Sequence, residues 1–249
     1  INGKFHREDG PAREWSDGTV EYWLNNFSYS KEDFDKEIAK MNKPKENKFY
    51  YSDGTTSSKK VNSKVLHRED GPAIEWSNGD KSWYINGKRH REDGPAIEYS
   101  NGDKNWYIND KLHRENGPAC EYISGTKSWY INGKHHREDG PAIEYSNGTK
   151  EWFINGKSHR EDGPAVEFSN GSKHWLINDK FHRENGPAID NDSGYKVWYI
   201  SGQCHREDGP AIEYSDGSKA WFIKGSLHRE DGPAREYSDG TVEYWLNDK

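Results

Sequence analysis

The chain has 249 residues, of which only 30% are hydrophobic and 32% are charged, so it cannot build the thick aliphatic core of an ordinary domain. Eleven Trp, 15 Tyr and 8 Phe together with 25 Gly and 10 Pro point instead to many short aromatic strands joined by tight turns. A net charge of -7 argues against nucleic acid or anionic lipid as partner, and no apolar run approaches the ~18 residues of a membrane span. Two cysteines without a CxxC pair supply neither a disulfide framework nor a metal knuckle, and no motif asks for a cofactor.

The first element, residues 1–26, carries the motif His-Arg-Glu-Asp-Gly-Pro-Ala from His6 and opens inside a unit at Ile1. Residues 27–48 break the pattern. Ser30-Lys31-Glu32-Asp33 resembles a capping box with Asp in the place of Glu, Tyr29 and Phe34 are spaced as a hydrophobic staple, and Phe34, Ile38 and Met41 share one helical face. The spacing predicts a helix over 31–42, stopped by Pro44, which must dock its apolar stripe to be stable. The open end of a repeat array is the expected partner, because arrays need caps over their terminal strands.

From residue 49 to 249 the chain is an array. The motif recurs at His67, His90, His113, His136, His159, His182, His205 and His228, always 23 residues apart. A fixed period of this size marks stacked units that bury their apolar faces only against neighbours. Within a unit, Ala96-Ile97-Glu98-Tyr99 leads through Ser100-Asn101-Gly102 into Lys104-Asn105-Trp106-Tyr107-Ile108. Both Asn-Gly pairs of the consensus are expected to make type I′ turns, so each unit is a β-meander and the fold is an all-β, open antiparallel hairpin array. The recurring Trp83, Trp106, Trp129, Trp152, Trp175, Trp198 and Trp221 are expected to form the shared core. Residues 49–66 keep the turn Tyr51-Ser52-Asp53-Gly54 but lack the Trp, as a degenerate end unit would.

The last unit repeats the first. Residues 12–25 recur as 234–247 with one difference, Trp15 against Tyr237, which identifies both as terminal units. In the first copy a helix follows; in the second, Lys249 stands where a helix would start. Asp110 and Asp179 replace the turn Gly in units that also carry Asn116 and Asn185 in place of the motif Asp. A duplicated three-unit block or repulsion between neighbouring carboxylates would each account for this pairing.

His, Arg and Glu in sequence suggest acid-base or anion chemistry, and His90, Arg91, His113, Arg114, His136, Arg137, His159 and Arg160 are the candidates for a repeated small-ligand or anion site. Nine copies weigh against catalysis, which needs one convergent pocket, and favour a structural ladder. Asp190-Asn191-Asp192-Ser193-Gly194 resembles the start of a calcium loop, but Ser201 occupies the position of the bidentate Glu. Cys120 stands at an Ile/Val position as a small core residue. Comparing units separates scaffold from variable positions: the residue before each His (Arg89, Leu112, His135, Ser158, Phe181, Cys204) and the residue before each Trp (including Glu151 and His174). These positions, with Phe34, Ile38 and Met41, are the candidate binding surface.

The run Gly-Pro-Ala-Ile-Glu-Tyr-Ser-Asn-Gly-x-Lys-x-Trp-Tyr-Ile-Asn-Gly-Lys is matched by 94–111 except at Asp110 and by 140–157 except at Phe153. Its spacing resembles the variant MORN repeats of bacterial and viral proteins, including antitoxin components of the YwqJ/YwqK type. With the His-Arg-Glu-Asp-Gly-Pro-Ala stretch and the following helix it is most similar to repeat proteins of large bacteriophages and giant viruses. The resemblance covers nearly all of the chain outside 27–48. It implies a non-enzymatic scaffold for protein-protein interaction in a bacterial or virus-infected cytoplasm, neutralising a toxin or host-defence factor; independently, the strand edges of an incompletely capped end would allow self-association. The His-Arg-Glu-Asp-Gly-Pro stretch departs from the standard MORN pattern, which together with the acidic balance speaks against lipid binding.

Overall fold

A computed structural model describes residues 5–43 and 45–249; Ile1 and Pro44 lie outside the described residues. The chain divides into two compact units, Ile1–Glu46 and Asn47–Lys249.

In the first unit β1 (Arg13–Glu14), β2 (Val20–Leu24) and β3 (Phe27–Tyr29) form a three-stranded antiparallel sheet, and α1 (Lys31–Met41) packs on β2 and β3. Ser30 caps α1: its hydroxyl oxygen accepts from the Asp33 amide at 3.2 Å. The Asp33 carboxylate accepts the Ser30 hydroxyl at 2.8 Å, so the short acid bonds the capping side chain. Phe34 is buried against Tyr22, with ring centroids 4.9 Å apart, Ile38 is half-buried and Met41 is exposed. The apolar stripe thus docks through its N-terminal half.

In the second unit the chain is nearly all β, and 18 short strands form one long antiparallel sheet. A regular unit gives it two strands of two residues, such as Ile97–Glu98 and Lys104–Asn105, paired through Ile97 with Asn105 and Glu98 with Lys104. The next strands pair in the same register, Asn105 with Cys120 and Lys104 with Glu121. Among the described residues each end strand, Thr56–Ser57 and Val242–Glu243, has one partner, so the pairing runs as an open ribbon. Alternation sorts the columns. One face carries a cross-strand Glu/Lys ladder, Glu98, Lys104, Glu121, Lys127, Glu144 and Lys150, which places opposite charges side by side. The other carries the Ile/Val/Cys column and the residue before each Trp.

The two turns of each unit differ. Asn86 and Gly87 both have positive φ, 50° and 79°, as a type I′ turn requires. In Ser100-Asn101-Gly102 only Gly102 is left-handed, at φ 101°, so the expectation of a type I′ turn fails there. The Tyr99 amide donates to Asp103 O and the Gly102 amide to Tyr99 O, a longer connection that needs one left-handed residue. Asn101 serves instead through its side chain, whose oxygen accepts from the Asp103 amide at 2.9 Å.

The core also departs from expectation. Ala73, Ala96, Ala119, Ala142, Ala165, Ala188, Ala211 and Ala234 are fully buried at 0% exposure, whereas every Trp of the ladder is only half-buried. The alanine marks the closest approach between units: the Trp106 amide donates to Ala119 O across the boundary at 2.8 Å, and the same bond recurs at Trp129 and Ala142. The Trp rings lie on the opposite face from the variable seam and are covered by arginine.

The degenerate first unit is rearranged. Lys48–Tyr50, before the turn rather than after it, pairs with Ile74–Glu75. Tyr50 takes the role of the missing Trp: its amide donates to Ala73 O, its carbonyl accepts from His67, and its ring lies 4.1 Å beneath Arg68.

Candidate functional site

The His-Arg-Glu-Asp motif is held by its own array. The guanidinium of Arg91 lies 4.2 Å over Trp83, and the same stacking recurs at 3.7–4.1 Å for Arg114, Arg137, Arg160, Arg183, Arg206 and Arg229 over their Trp partners. Nε of Arg91 donates to Asp93 at 2.9 Å, while one terminal nitrogen donates to Pro95 O at 3.3 Å and Glu98 at 3.0 Å. The guanidinium thus ties the return loop to the strand ladder. Where the motif Asp becomes Asn the Nε bond is missing among the described residues: there Arg114 keeps Pro118 O and Glu121, and Arg183 keeps Pro187 O alone. With Asp190 in the usual Glu position, burial pulls the Arg183 pKa below its ordinary value.

The histidines stitch unit to unit. Nδ1 of His113 accepts the Asn132 amide of the following turn at 3.2 Å, and His67, His136, His182 and His205 repeat this bond. His90, His159 and His228 do not, and their following turns contain Asp110, Asp179 and Asp248. There the carboxylate accepts a backbone amide of the preceding unit, Arg89, Ser158 or Leu227, at 2.8–3.0 Å. The Asp turn therefore exchanges one inter-unit bond for another. Among the described residues no hydrogen bond or ion pair joins Asp110 to Asn116; Asp110 faces Arg89, whose Nε lies at 2.9 Å. Asp110→Gly is expected to change stability by less than about 0.5 kcal/mol in urea unfolding, because it releases a left-handed residue and reopens the His90 bond. Asp110→Ala, which keeps the strain and loses both bonds, is expected to cost about 1–2 kcal/mol.

A further inter-unit bond went unnoticed in the sequence. The residue after each strand-turn Gly reaches forward: Asp80 accepts the Ser100 amide at 2.7 Å, Asp103 that of Ile123, Thr126 that of Ser146 and Thr149 that of Ser169. Its only sequence signal is restriction of that position to Asp, Thr or Ser, with Tyr195 as the exception. Tyr195 instead meets the Tyr214 ring at a tilt, with centroids 5.7 Å apart.

The variable positions lie along an inner seam. Ser82, Asn105, Ser128, Val197 and Ala220, which as residues before Trp belong to the candidate binding surface of the sequence, are buried because their strands turn them toward the second hairpin of the unit. Glu151 and His174 are half-buried. The residues before each His line the other wall: Arg89 lies 4.1 Å over Tyr107, Leu112 is paired across its hairpin with Tyr107, His135 lies between Tyr130 and Phe153, and Phe181 stacks on Tyr199. His174 touches Phe168 and Phe181 edge-on at 4.9 and 5.6 Å, and the Ser158 hydroxyl is buried without a partner. Variation here is packing variation between facing positions. Cys120 is buried and its thiol pKa is pushed up to about 11; half-buried Cys204 is pushed up to about 12.

Burial gives this seam a pH signature. The Glu151 carboxyl is raised, against the lowering effect of its hydrogen bond with Tyr145, so its folding stability is present below the ordinary carboxylate value and lost as pH rises through the folded one. Glu151→Gln is therefore expected to raise the urea midpoint at pH 7 and leave it unchanged near pH 3. His174 is lowered by burial, so its contribution holds above ~6.5 and fades as pH falls through its folded value; His174→Phe should flatten the loss between pH 7 and 5.

What remains for a ligand is of two kinds. Between successive motifs lie open clefts, such as one of about 490 Å³ lined by Arg160, Glu161, Trp175, His182 and Arg183. Along the sheet runs a stripe of aromatics, Trp76, Tyr99, Tyr122, Tyr145, Phe168, Tyr214 and Tyr237, each 36–41% exposed, interrupted only where Asn191 takes the aromatic position. Variable residues back these rings from inside, as His174 backs Phe168. In the irregular turn Asp192 exchanges bonds with the Ser172 hydroxyl and Asn191 meets His174. Among the described residues no group of three His, Cys, Asp or Glu side chains is placed to hold a metal ion, and no helix is long and apolar enough to cross a membrane. Compared with known proteins, the chain matches no family model and no curated protein.

Proposed function

We propose that the protein is a non-enzymatic repeat scaffold that binds another protein along its aromatic stripe. The observation that carries this reading is the contrast between motif and stripe. The motif's Arg side chains, and its His side chains wherever the following turn lacks Asp, are bonded across unit boundaries, whereas seven aromatics in register stand partly exposed. Tyr and Trp contribute large contact area at low entropic cost, and Ile123, 75% exposed beside Tyr122, adds an apolar contact. Neutralisation of a toxin or host-defence factor in a bacterial or virus-infected cytoplasm is the form of this activity that the MORN-type resemblance implies. Combining Tyr99→Ser, Tyr122→Ser and Tyr145→Ser is expected to weaken capture of the partner from native lysate at least tenfold while leaving the circular dichroism unchanged. Wild-type capture by the folded triple variant would reject the stripe as the binding surface.

A second reading, a repeated small-ligand binder, draws on the recurrence of the cleft between Arg183 and Arg206 and again between Arg206 and Arg229. It predicts several ligands per chain in native mass spectrometry, against one protein-sized partner for the scaffold.

A further inference from the structure

One arginine of the array lacks the carboxylates that hold the others. In the regular units Nε of the motif arginine donates to the motif Asp at 2.9–3.0 Å, as at Arg68, Arg91, Arg137, Arg160, Arg206 and Arg229. A terminal nitrogen of each donates to the strand Glu at 2.9–3.2 Å. Arg114 keeps one of these carboxylates, Glu121, at 2.6 Å. Arg183 keeps neither: among the described residues it makes no ion pair, and Pro187 O is its one hydrogen-bond acceptor.

Two replacements in a single unit produce this. Asn185 stands for the motif Asp and carries no charge, and Asp190 stands for the strand Glu and is one methylene too short to reach. The loop differs as well: among the motif glycines only Gly117 and Gly186, which follow the two Asn, have positive φ, at 142° and 135°. The guanidinium nevertheless stays 3.7 Å over Trp175 and half-buried. It lines two open clefts, one of about 490 Å³ shared with Arg160 and one of about 620 Å³ shared with Arg206. Burial lowers its pKa, whereas at Arg68 and Arg229 burial is outweighed by hydrogen bonds to Asp70 and Glu75 or to Asp231 and Glu236. Arg183 is thus a partly desolvated cation whose Nε and second terminal nitrogen present the side-on fork that matches a carboxylate.

We propose that Arg183 is an anion site that accepts an Asp or Glu side chain of the protein partner. The regular units supply the precedent, since a carboxylate occupies the same nitrogen in each of them. A doubly charged phosphate suits the cleft less well, because Glu161, 84% exposed, and Glu184 line it and repel the second charge. Stacking on Trp175 holds the fork before binding, so little side-chain freedom is lost when the acid docks. Arg114, half compensated by Glu121, ranks second, and the regular arginines do not compete. This rests on the scaffold reading, to which it adds one charged contact.

The test is NMR of the arginine Nε–H groups in the full chain, with the Arg183 resonance identified by its loss in Arg183→Lys. Sodium acetate, raised to about 200 mM in exchange for sodium chloride at constant ionic strength, is expected to shift that resonance saturably and to leave those of Arg137 and Arg206 in place. Inorganic phosphate is expected to bind no more tightly than acetate. Asn185→Asp with Asp190→Glu rebuilds the regular unit, so the double variant folds as the parent does, which circular dichroism checks. It is expected to abolish the acetate shift and to weaken capture of the partner by about threefold or more. Equal shifts at all three arginines, no shift at Arg183, or a shift retained in the double variant would overturn the anion site. Tighter binding of phosphate would overturn the carboxylate as its ligand. Acetate binding with undiminished capture by the double variant would overturn the partner's acid as occupant, in favour of a free small carboxylate. The acetate titration reads the site without any partner, so its failure is distinct from failure of stripe-dependent capture, which Tyr99→Ser, Tyr122→Ser and Tyr145→Ser decide.

Discussion

Replacing Ala142 with Leu is expected to cost about 3 kcal/mol or more, the largest loss of any single substitution in the array. Ala142 has no exposed surface, and its carbonyl accepts the Trp129 amide across the unit boundary at 2.8 Å. Three added carbons have no space unless the strands separate, and separation would break the Ser128–Ile143 pairing as well. Because each unit is stabilised by its neighbours, the damage should spread along the array rather than unfold one loop. Urea unfolding should therefore show a lower midpoint and a shallower transition as the array splits into two blocks. Ala142→Ser, nearly the same size, should cost much less; equal losses for Ser and Leu would show that close packing is not the cause.

Arg137→Ala is the second large effect, at about 3 kcal/mol. The guanidinium lies 4.1 Å over Trp129 and donates to Asp139, Pro141 O and Glu144 at 2.9–3.2 Å. The ion pair with Asp139 adds little, since that carboxylate is 84% exposed. Most of the loss comes from the uncovered Trp face and the stranded Pro141 carbonyl. Lys should recover less than half, because an ammonium cannot stack on the ring and fork to two acceptors together. Arg183 supplies an internal comparison: with Pro187 O its one hydrogen-bond acceptor, Arg183→Lys should cost less than Arg137→Lys. Differential scanning calorimetry of the two Lys variants would check this ordering.

The period and its breaks were enough to read the fold class, because a 23-residue repeat with Asn-Gly turns leaves few alternatives to stacked hairpins. The helix was equally legible: Ser30 and the Phe34–Ile38 spacing are local signals, and its end differs by one residue. Partition between core and surface was less so. Recurrence in every unit points to Trp as the core, but the Arg eight residues later forms its cover, a contact that no periodicity announces. The small Ala, the least conspicuous residue of the motif, turned out to mark the tightest contact. Variation between units points to a binding surface at the variable positions. They vary instead because the seam between Ser82, Asn105, Glu151 or His174 and the facing hairpin accepts pairs of different size and polarity. The aromatic stripe was hidden for the converse reason: near-constancy of Tyr99, Tyr122 and Tyr145 resembles a core pattern, and only the ribbon's geometry leaves those rings partly open.

The central claim is that the His-Arg-Glu-Asp motif is the stitching of the array and that partner recognition lies elsewhere. Its most direct test is to make Arg91→Lys, Arg137→Lys and Arg206→Lys separately and to measure, for each, the urea midpoint and the affinity for the captured partner. Each of these arginines has the same four contacts, so the account predicts a similar drop in midpoint for all three and unchanged affinity while the chain is folded. If one variant lost binding without a matching loss of stability while the other two bound normally, that arginine would be a recognition residue, and the structural reading of the motif would be wrong.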